Sequence, residues 1–544
     1  MGVISTIAVI FLALFSLFLA AATSVTTIAF ELNSEADLPR FHAENIPLLF
    51  VCIIIVSAIL IFIRRNTVLL SDRSTDSPHK KRFPGGRLSA CVLTAVSAFC
   101  LFLILGVHGL ATTDALTLDG IINSFMQGDY SSLTEPGGYL FIYPFQLGYV
   151  AIGQLLYILA GPSNYLVYQL LNLVSILTVL VCLYMITDEL FPGGSTSAMA
   201  VILSCGFFCL YVHSTFIYSD IWSLAPQSAA IYMLLLGFRR GKMRFYAAGA
   251  LFAGFAVILK HNCYILMIAA ILILLLRALF SEDGSFRTRE IMAAILVIAA
   301  VYIFPLAVNL SYLAFTDIDT IPEGVPSSTY IAMGLQEAET SNGWYNGYTV
   351  KTYRETDYDH DETARIGREE ISSRINLFAH HPKYTVKFFA GKLLSQWADP
   401  TCASMRELEL TSRHTEKHSA LIESIIYGRG RNILSFIMNV FESLMYIGFS
   451  VYLINLIKKG SLLKDRGRLF ITAYSGEVLI LLFIIGGIIF HTFWEGSSRY
   501  ILRYYVCILP FASKGWMMIT EKLSGGEFFS KIESHKDIGE NCQG

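Results

Sequence analysis

Long apolar runs separated by short polar breaks dominate the chain. A helix needs roughly 20 apolar residues to cross a bilayer core. Runs of that order fall near residues 3–30, 46–63, 88–110, 164–187, 196–214, 221–238, 244–259, 262–280, 290–313, 433–457, 469–490 and 500–519. The pattern predicts an all-α polytopic membrane protein with about 12 transmembrane helices. Two polar segments, 111–163 and 314–431, are too long to be mere connections. Loops beyond about 15 residues are usually functional or disordered, and the aromatic content of the second argues for a small folded subdomain. The chain divides into residues 1–87, two N-terminal helices and a basic loop; 88–313, a transmembrane core; 314–431, an outer-face subdomain; and 432–544, the last helices and a cytoplasmic tail.

Lys and Arg set the expected orientation, because short basic loops stay cytoplasmic. Four loops are basic: 64–87, 239–244, 277–289 and 458–468. All four share one face when residues 139–160 do not cross. That stretch, YLFIYPFQLGYVAIGQLLYILA, is interrupted by Pro144, Gln146 and Gln154, and its tyrosines suit a juxtamembrane or re-entrant helix. An ordinary span there would instead place Arg239 to Arg244 outside. The first run lacks a preceding Lys or Arg and continues to Phe30, which reads as a signal anchor. The expected location is the plasma membrane, multi-pass, with both long polar segments extracytoplasmic.

Composition narrows the function. With 54% hydrophobic and 15% charged residues and a mean hydropathy of +0.56, a soluble enzyme is excluded. A net charge of −2 supplies no basic field for a nucleic-acid backbone, so no nucleic-acid partner is expected. The ten cysteines form no paired CxxC sets and read as small core hydrophobes. Neither GxxxxGK[ST] nor HExxH occurs, which removes nucleotide-driven pumping and zincin chemistry.

The chemistry-bearing residues gather at the expected outer face. Asp114 follows an uncharged span; a carboxylate there can take a proton from an attacking hydroxyl or N-cap a helix from about Ala115 to Met126. Asp119 is expected on a wet helical face and Asp129 in a Gly128-Asp129 turn. Asp220, in FIYSDIWS, reads as a helix cap or as the second of two acids able to hold a divalent cation such as Mg2+, Mn2+ or Ca2+. Metal use stays open. Lys260, between two apolar stretches, suits a phosphate partner or snorkelling to headgroups. The last outer turn, HTFWEGSSRYILR, gathers His491, Glu495, Arg499 and Arg503; its arginines suit a phosphate, or Glu495 and Arg499 pair within the turn. In GWYNGYT, Trp344 and Tyr345 offer flat faces for a sugar ring or interface packing, as does Trp397 beside Asp399. The acidic run Asp357, Asp359, Asp361 departs from a calcium loop and reads as a solvated turn.

Taken together, DALTLDGIINSFMQGDYSSLTEPGGYLFIYPFQLG, GWYNGY, KLLSQWADPT and FHTFWEGSSRYI resemble the C-type (GT-C) membrane glycosyltransferases, in the bacterial protein-mannosyltransferase and aminoarabinose-transferase branch. The resemblance covers about Ser89 to Lys514. It implies a GT-C-like bundle with juxtamembrane helices in the first outer loop. It also implies transfer of a sugar from a polyprenyl-phosphate donor in the membrane to a cell-envelope acceptor hydroxyl, with inversion. On that pattern Asp114 is the catalytic acid position, Asp220 the second acidic position, and Lys260 and Arg499 face the donor phosphate. The chain has two extra spans before the core and lacks an adjacent acidic pair. A transporter or lipid-linked sugar flippase is the alternative, which needs polar residues along a midplane pathway.

Overall fold

The computed structural model describes residues 2–71, 85–415, 417–458 and 474–524. Most of the basic stretches 64–87 and 458–468, and Cys542, lie outside the described residues or side chains. Helices α1 (Gly2–Val25), α2 (Ile46–Ser71) and α3 (Gly86–Val107) lead into the first polar segment, which holds α4 (Thr113–Met126), α5 (Ser131–Thr134), α6 (Tyr139–Ile142) and α7 (Leu147–Ala160). The central block follows: α8 (Tyr165–Leu190), α9 (Ser195–Ser204), α10 (Phe208–Val212), α11 (Ser219–Arg240), α12 (Met243–Leu259), α13 (Tyr264–Leu279) and α14 (Gly284–Leu313). The second polar segment forms α15 (Ser327–Gly334), α16 (Tyr348–Glu355), α17 (His360–His380), α18 (Pro382–Trp397), α19 (Ser404–Ser412) and α20 (Ala420–Tyr427). Helices α21 (Arg429–Lys458), α22 (Ser475–Phe493) and α23 (Leu502–Ser524) close the bundle.

Among the described residues nine helices are long and apolar enough to cross a membrane, or up to eleven with two bent pairs counted. Two expectations change in detail, and the interruption expected at Pro144 is present. The first run ends at Val25, not Phe30, because Thr26–Phe30 pairs antiparallel with Pro39–Ala43 as strands β1 and β2; the β-branched Thr26, Thr27 and Ile28 favour that geometry. The 196–214 run is not one helix: it bends by 55° between α9 and the 208–215 piece, at Cys205-Gly206-Phe207. The 139–160 stretch breaks by 93° at Tyr143, where Pro144 cannot donate to a continuing helix.

The helices alternate direction, so one end of the bundle collects the starts of α8, α11, α13 and α23 and the ends of α3, α12, α14 and α22. That end carries both polar segments. The opposite end carries Arg239, Arg240, Lys242 and Arg244, and there Arg277 meets Glu290 at 2.9 Å. One large apolar core joins α1, α3, the central helices and α21 to α23, while a second core, with Leu118, Phe125, Tyr149 and Trp222, seats the first polar segment on the bundle.

The polar segments are fastened from two sides. The loop between β1 and β2 docks on α19: Arg406 Nε meets Asp37 at 3.0 Å and Nη2 donates to the carbonyls of Ser34 and Ala36, while Asn33 N donates to Glu409 at 2.8 Å. On the other side, buried Lys392 donates to the carbonyls of Gly334 and Trp494, the latter at 2.8 Å. Gly496 N donates to Gly343 O at 2.7 Å, and Trp494 stacks on Tyr330 with ring centres 5.0 Å apart. A Cβ on Gly334 would lie 2.2 Å from the Phe493 carbonyl oxygen, so this close approach admits only glycine.

Candidate active site

Asp114 lies exposed in the first turn of α4. It is not the helix cap: Thr112 occupies that position, and the Asp114 carboxylate lies within electrostatic reach of the Tyr139 hydroxyl. The neighbouring Thr113 has φ 49°, an uncommon backbone for a β-branched residue. Such strain often accompanies functional sites. The 93° break delivers Tyr139 and Tyr143 to this acid, and Tyr218, Tyr345 and Glu495 also lie within its electrostatic reach. Tyr345 is half exposed at the rim.

Glu495, in the last turn, is partly exposed and feels the Asp114 charge. Burial pushes its carboxyl up to about 7, against the opposing Arg499 charge and with help from Asp114. The Tyr500 hydroxyl is 3.4 Å away, at the outer limit of a hydrogen bond. Lys392, behind this turn, is held down to about 7 by burial.

The cations form a compact group beside the acids. Lys260 Nζ is 2.9 Å from Asp220 Oδ2, with its ammonium 4.8 Å from the Tyr218 ring centre and 5.4 Å from that of Tyr500. Arg499 lies 3.8 Å from Asp220 and makes a 2.5 Å bond to Glu407, whose carboxyl burial raises to about 7 despite the arginine. Lys260 and Arg499 keep 15% and 20% of their side-chain surface open, enough to present charge to the cleft. The alternative pairing of Glu495 with Arg499 is not made; Glu407 takes the guanidinium instead.

Other expected residues are drawn into the interior. Trp344 is 3% exposed, donates to Ser395 at 2.9 Å and packs on Phe30, so it offers no open face to a sugar. Trp397 is wholly buried, and Asp399 holds the turn after it through Thr401 and Ala403. Arg503 is buried on Gln227 and Cys263, and His491 beside Tyr504, so neither faces the cleft. Asp119 is buried rather than wet, accepting from Ser163 and Tyr165 at 2.7 and 2.8 Å. Asp129 holds its turn through Ser131 N, and Asp359 caps α17 through Glu362 N.

A divalent cation does not fit this donor set. Asp220, the expected second ligand, already meets an ammonium and a guanidinium, and among the described residues no three His, Cys, Asp or Glu side chains converge. Glu407, Lys392, Tyr139, Tyr143 and Tyr500 were not singled out from sequence. The tyrosines of residues 139–160 read there as interfacial residues.

The chain resembles two groups of solved membrane enzymes at a distance. One is the archaeal oligosaccharyltransferase AglB from Archaeoglobus fulgidus, in complex with an inhibitory peptide and a dolichol-phosphate: 15% identity, TM-score 0.41, covering 82% of this chain and 52% of that one. The apo form of the Archaeoglobus fulgidus oligosaccharyltransferase gives 16% and 0.42, with the same coverage. This chain thus spans about half the length of those enzymes. The other is ArnT from Cupriavidus metallidurans bound to undecaprenyl phosphate, at 14% identity and TM-score 0.29, covering 78% and 77%. No curated protein matches the chain. A family model described as conserved hypothetical integral membrane protein matches residues 3–518, from α1 into α23, and the chain belongs to that family.

Proposed function

We propose that this protein is a membrane glycosyltransferase that moves a sugar from a polyprenyl-phosphate donor to an acceptor hydroxyl at the extracytoplasmic face. The observation that carries this reading is the grouping around Tyr218: it lies within electrostatic reach of the exposed acid Asp114 and of Arg499, and the partly open Lys260 ammonium sits 4.8 Å from its ring centre. Acids and cations divide the two ends of one substitution reaction between them. In the reaction proposed, Asp114 accepts the proton of the acceptor hydroxyl as its oxygen attacks the anomeric carbon. The carbon–oxygen bond to the carrier phosphate breaks as the new glycosidic bond forms, inverting the centre through an oxocarbenium-like transition state.

Charge that builds on the departing phosphate is met by Lys260 and Arg499, held in place before reaction by Asp220 and Glu407. The tyrosines around the cleft give apolar surface with hydroxyl edges, a lining suited to a sugar ring. No step needs a nucleotide, since the carrier phosphoester already activates the sugar, and none is routed through a metal. The opposite basic end of the bundle, by the charge rule for short loops, faces the cytoplasm.

The test follows label leaving radiolabelled polyprenyl-phosphate sugars in an envelope extract that contains endogenous acceptors. Wild type should release the label, and Asp114→Asn should lower the rate by about 10² to 10⁴, the usual worth of a positioned base. Its melting temperature should not change, because Asp114 is exposed and caps nothing. Equal rates for the two proteins would overturn the assignment.

A further inference from the structure

Glu442 lies on α21, inside a span, and has no exposed surface. Its Oε1 accepts from the Tyr505 hydroxyl at 2.5 Å, while its Oε2 has no hydrogen-bond partner among the described residues. One helical turn earlier, Asn439 leaves both its amide oxygen and its amide nitrogen unpaired, and the adjoining Ser443 hydroxyl is unpaired too. Asn439 and Ser443 are each 1% exposed. Spacings of three and four residues place these groups on one side of the helix.

Among the described residues, no cation acts appreciably on Glu442. Tyr446 and Tyr505 turn their hydroxyls toward the Trp397 carbonyl at 2.6 and 3.1 Å, and a hydroxyl proton serves one strong acceptor at a time. The charges that act on Glu442 are those of Asp399 and Glu44, both acidic, with the Cys402 thiol also nearby. Arg431, which feels the Asp399 charge, spends its Nη1 on the carbonyls of Met405 and Ile426. An intramembrane carboxylate with one donor, two like charges and no cationic partner is a costly arrangement. Unpaired oxygens of a carboxylate, an amide and a hydroxyl on one helical side are the ligand set for a small hard cation.

We propose that Glu442, Asn439 and Ser443 form an internal site for a small monovalent cation within the helix bundle, separate from the Asp114 cleft. The cation neutralises Glu442 and satisfies the Asn439 and Ser443 oxygens. Two sources share this chemistry: sodium, or a proton carried on Glu442 with water bridging to its neighbours. Either one binds the folded protein and not the unfolded chain, so it stabilises the fold.

The test uses full-length protein in detergent. Thermal unfolding is recorded for wild type, Glu442→Gln and Asn439→Ala with sodium chloride exchanged for choline chloride at constant ionic strength, and then across pH in choline alone. A sodium site predicts a wild-type midpoint that rises with sodium. A proton site predicts a midpoint that rises on acidification and ignores sodium. In both cases Glu442→Gln, which carries no charge to neutralise, loses the response, and Asn439→Ala weakens it. Dicyclohexylcarbodiimide, which couples to protonated carboxyls in apolar surroundings, reports occupancy directly. The Glu442 adduct should fall on adding sodium in the first case, and about tenfold per pH unit above its apparent pKa in the second. Wild type and Glu442→Gln responding alike to sodium and to pH would overturn the proposal. Because none of these readouts needs sugar transfer, they stand or fall apart from the glycosyltransferase reading.

Discussion

Lys260→Met isolates what the pair with Asp220 contributes. At an effective dielectric of about 20, opposite charges 2.9 Å apart attract by about 6 kcal/mol, and the 3.8 Å contact to Arg499 by about 4 kcal/mol. Desolvation offsets most of this, so breaking one buried pair usually costs about 3–5 kcal/mol. Arg499 remains to shield the stranded carboxylate, which points to the lower end, about 3 kcal/mol. Adding Asp220→Asn removes the stranded charge and should recover most of that loss, a coupling of about 2 kcal/mol between neighbours. Unfolding in detergent of wild type, both single variants and the double variant measures it; strictly additive effects would refute the electrostatic account. Sugar transfer should behave differently. The double variant stays slow by about 10² to 10³, since the departing phosphate has lost its ammonium. Recovery of transfer along with stability would remove Lys260 from the phosphate site and leave it a structural role.

Three further outcomes follow from the geometry. Because burial raises Glu495 to about 7, the folded protein holds an extra proton between about pH 4.5 and 7, so this residue's contribution to stability falls as pH rises through that window. Glu495→Gln should remove this slope from melting curves, and should also flatten any decline in transfer above about pH 7. Arg406→Met takes the partner from Asp37 and the Ala36 carbonyl of the β1–β2 loop and leaves buried Glu409 with Arg413 as its one remaining cation among the described residues. A cost of about 3–5 kcal/mol is expected, together with faster proteolysis between Asn33 and Asp37 as the loop releases. EDTA should leave transfer unchanged, since Asp220 is neutralised by side chains; strong inhibition would overturn that assignment of its partners.

Residues near Asp114 were legible because their signals are local. A carboxylate after an uncharged span, a proline and glutamines interrupting an apolar run, and arginines in the last turn all stand out within a few residues of sequence. The helical bundle was legible for the same reason, since the length of an apolar run directly reflects bilayer thickness. What escaped was set by distant partners. Glu407 lies in a short charged helix that reads as a surface element, yet all of α19 is buried, because Arg499 and the β1–β2 loop bind its charges from 92 and about 370 residues away. Trp344 offered an aromatic face until Phe30, on the strand missed at the end of the first span, covered it. Lys392 gave no local signal that it is buried behind the last outer turn. Glu442 was hidden differently: one acid in a long apolar run does not reveal that its neighbours lack partners.

The docking of the β1–β2 loop on α19 also bears on how the chain is made. Arg406 and the Ser34 carbonyl it grips are 372 residues apart. At 5–20 residues per second, the N-terminal helical hairpin emerges from the ribosome roughly 20 to 75 s before its partner helix exists. Through that interval the loop carbonyls have only water or translocation machinery to satisfy them. Nascent chains stalled before α19 should therefore be cut readily between Asn33 and Asp37, and chains stalled beyond α20 should resist. The cleft then takes shape late in biogenesis, once both of its flanks have reached the same side of the membrane.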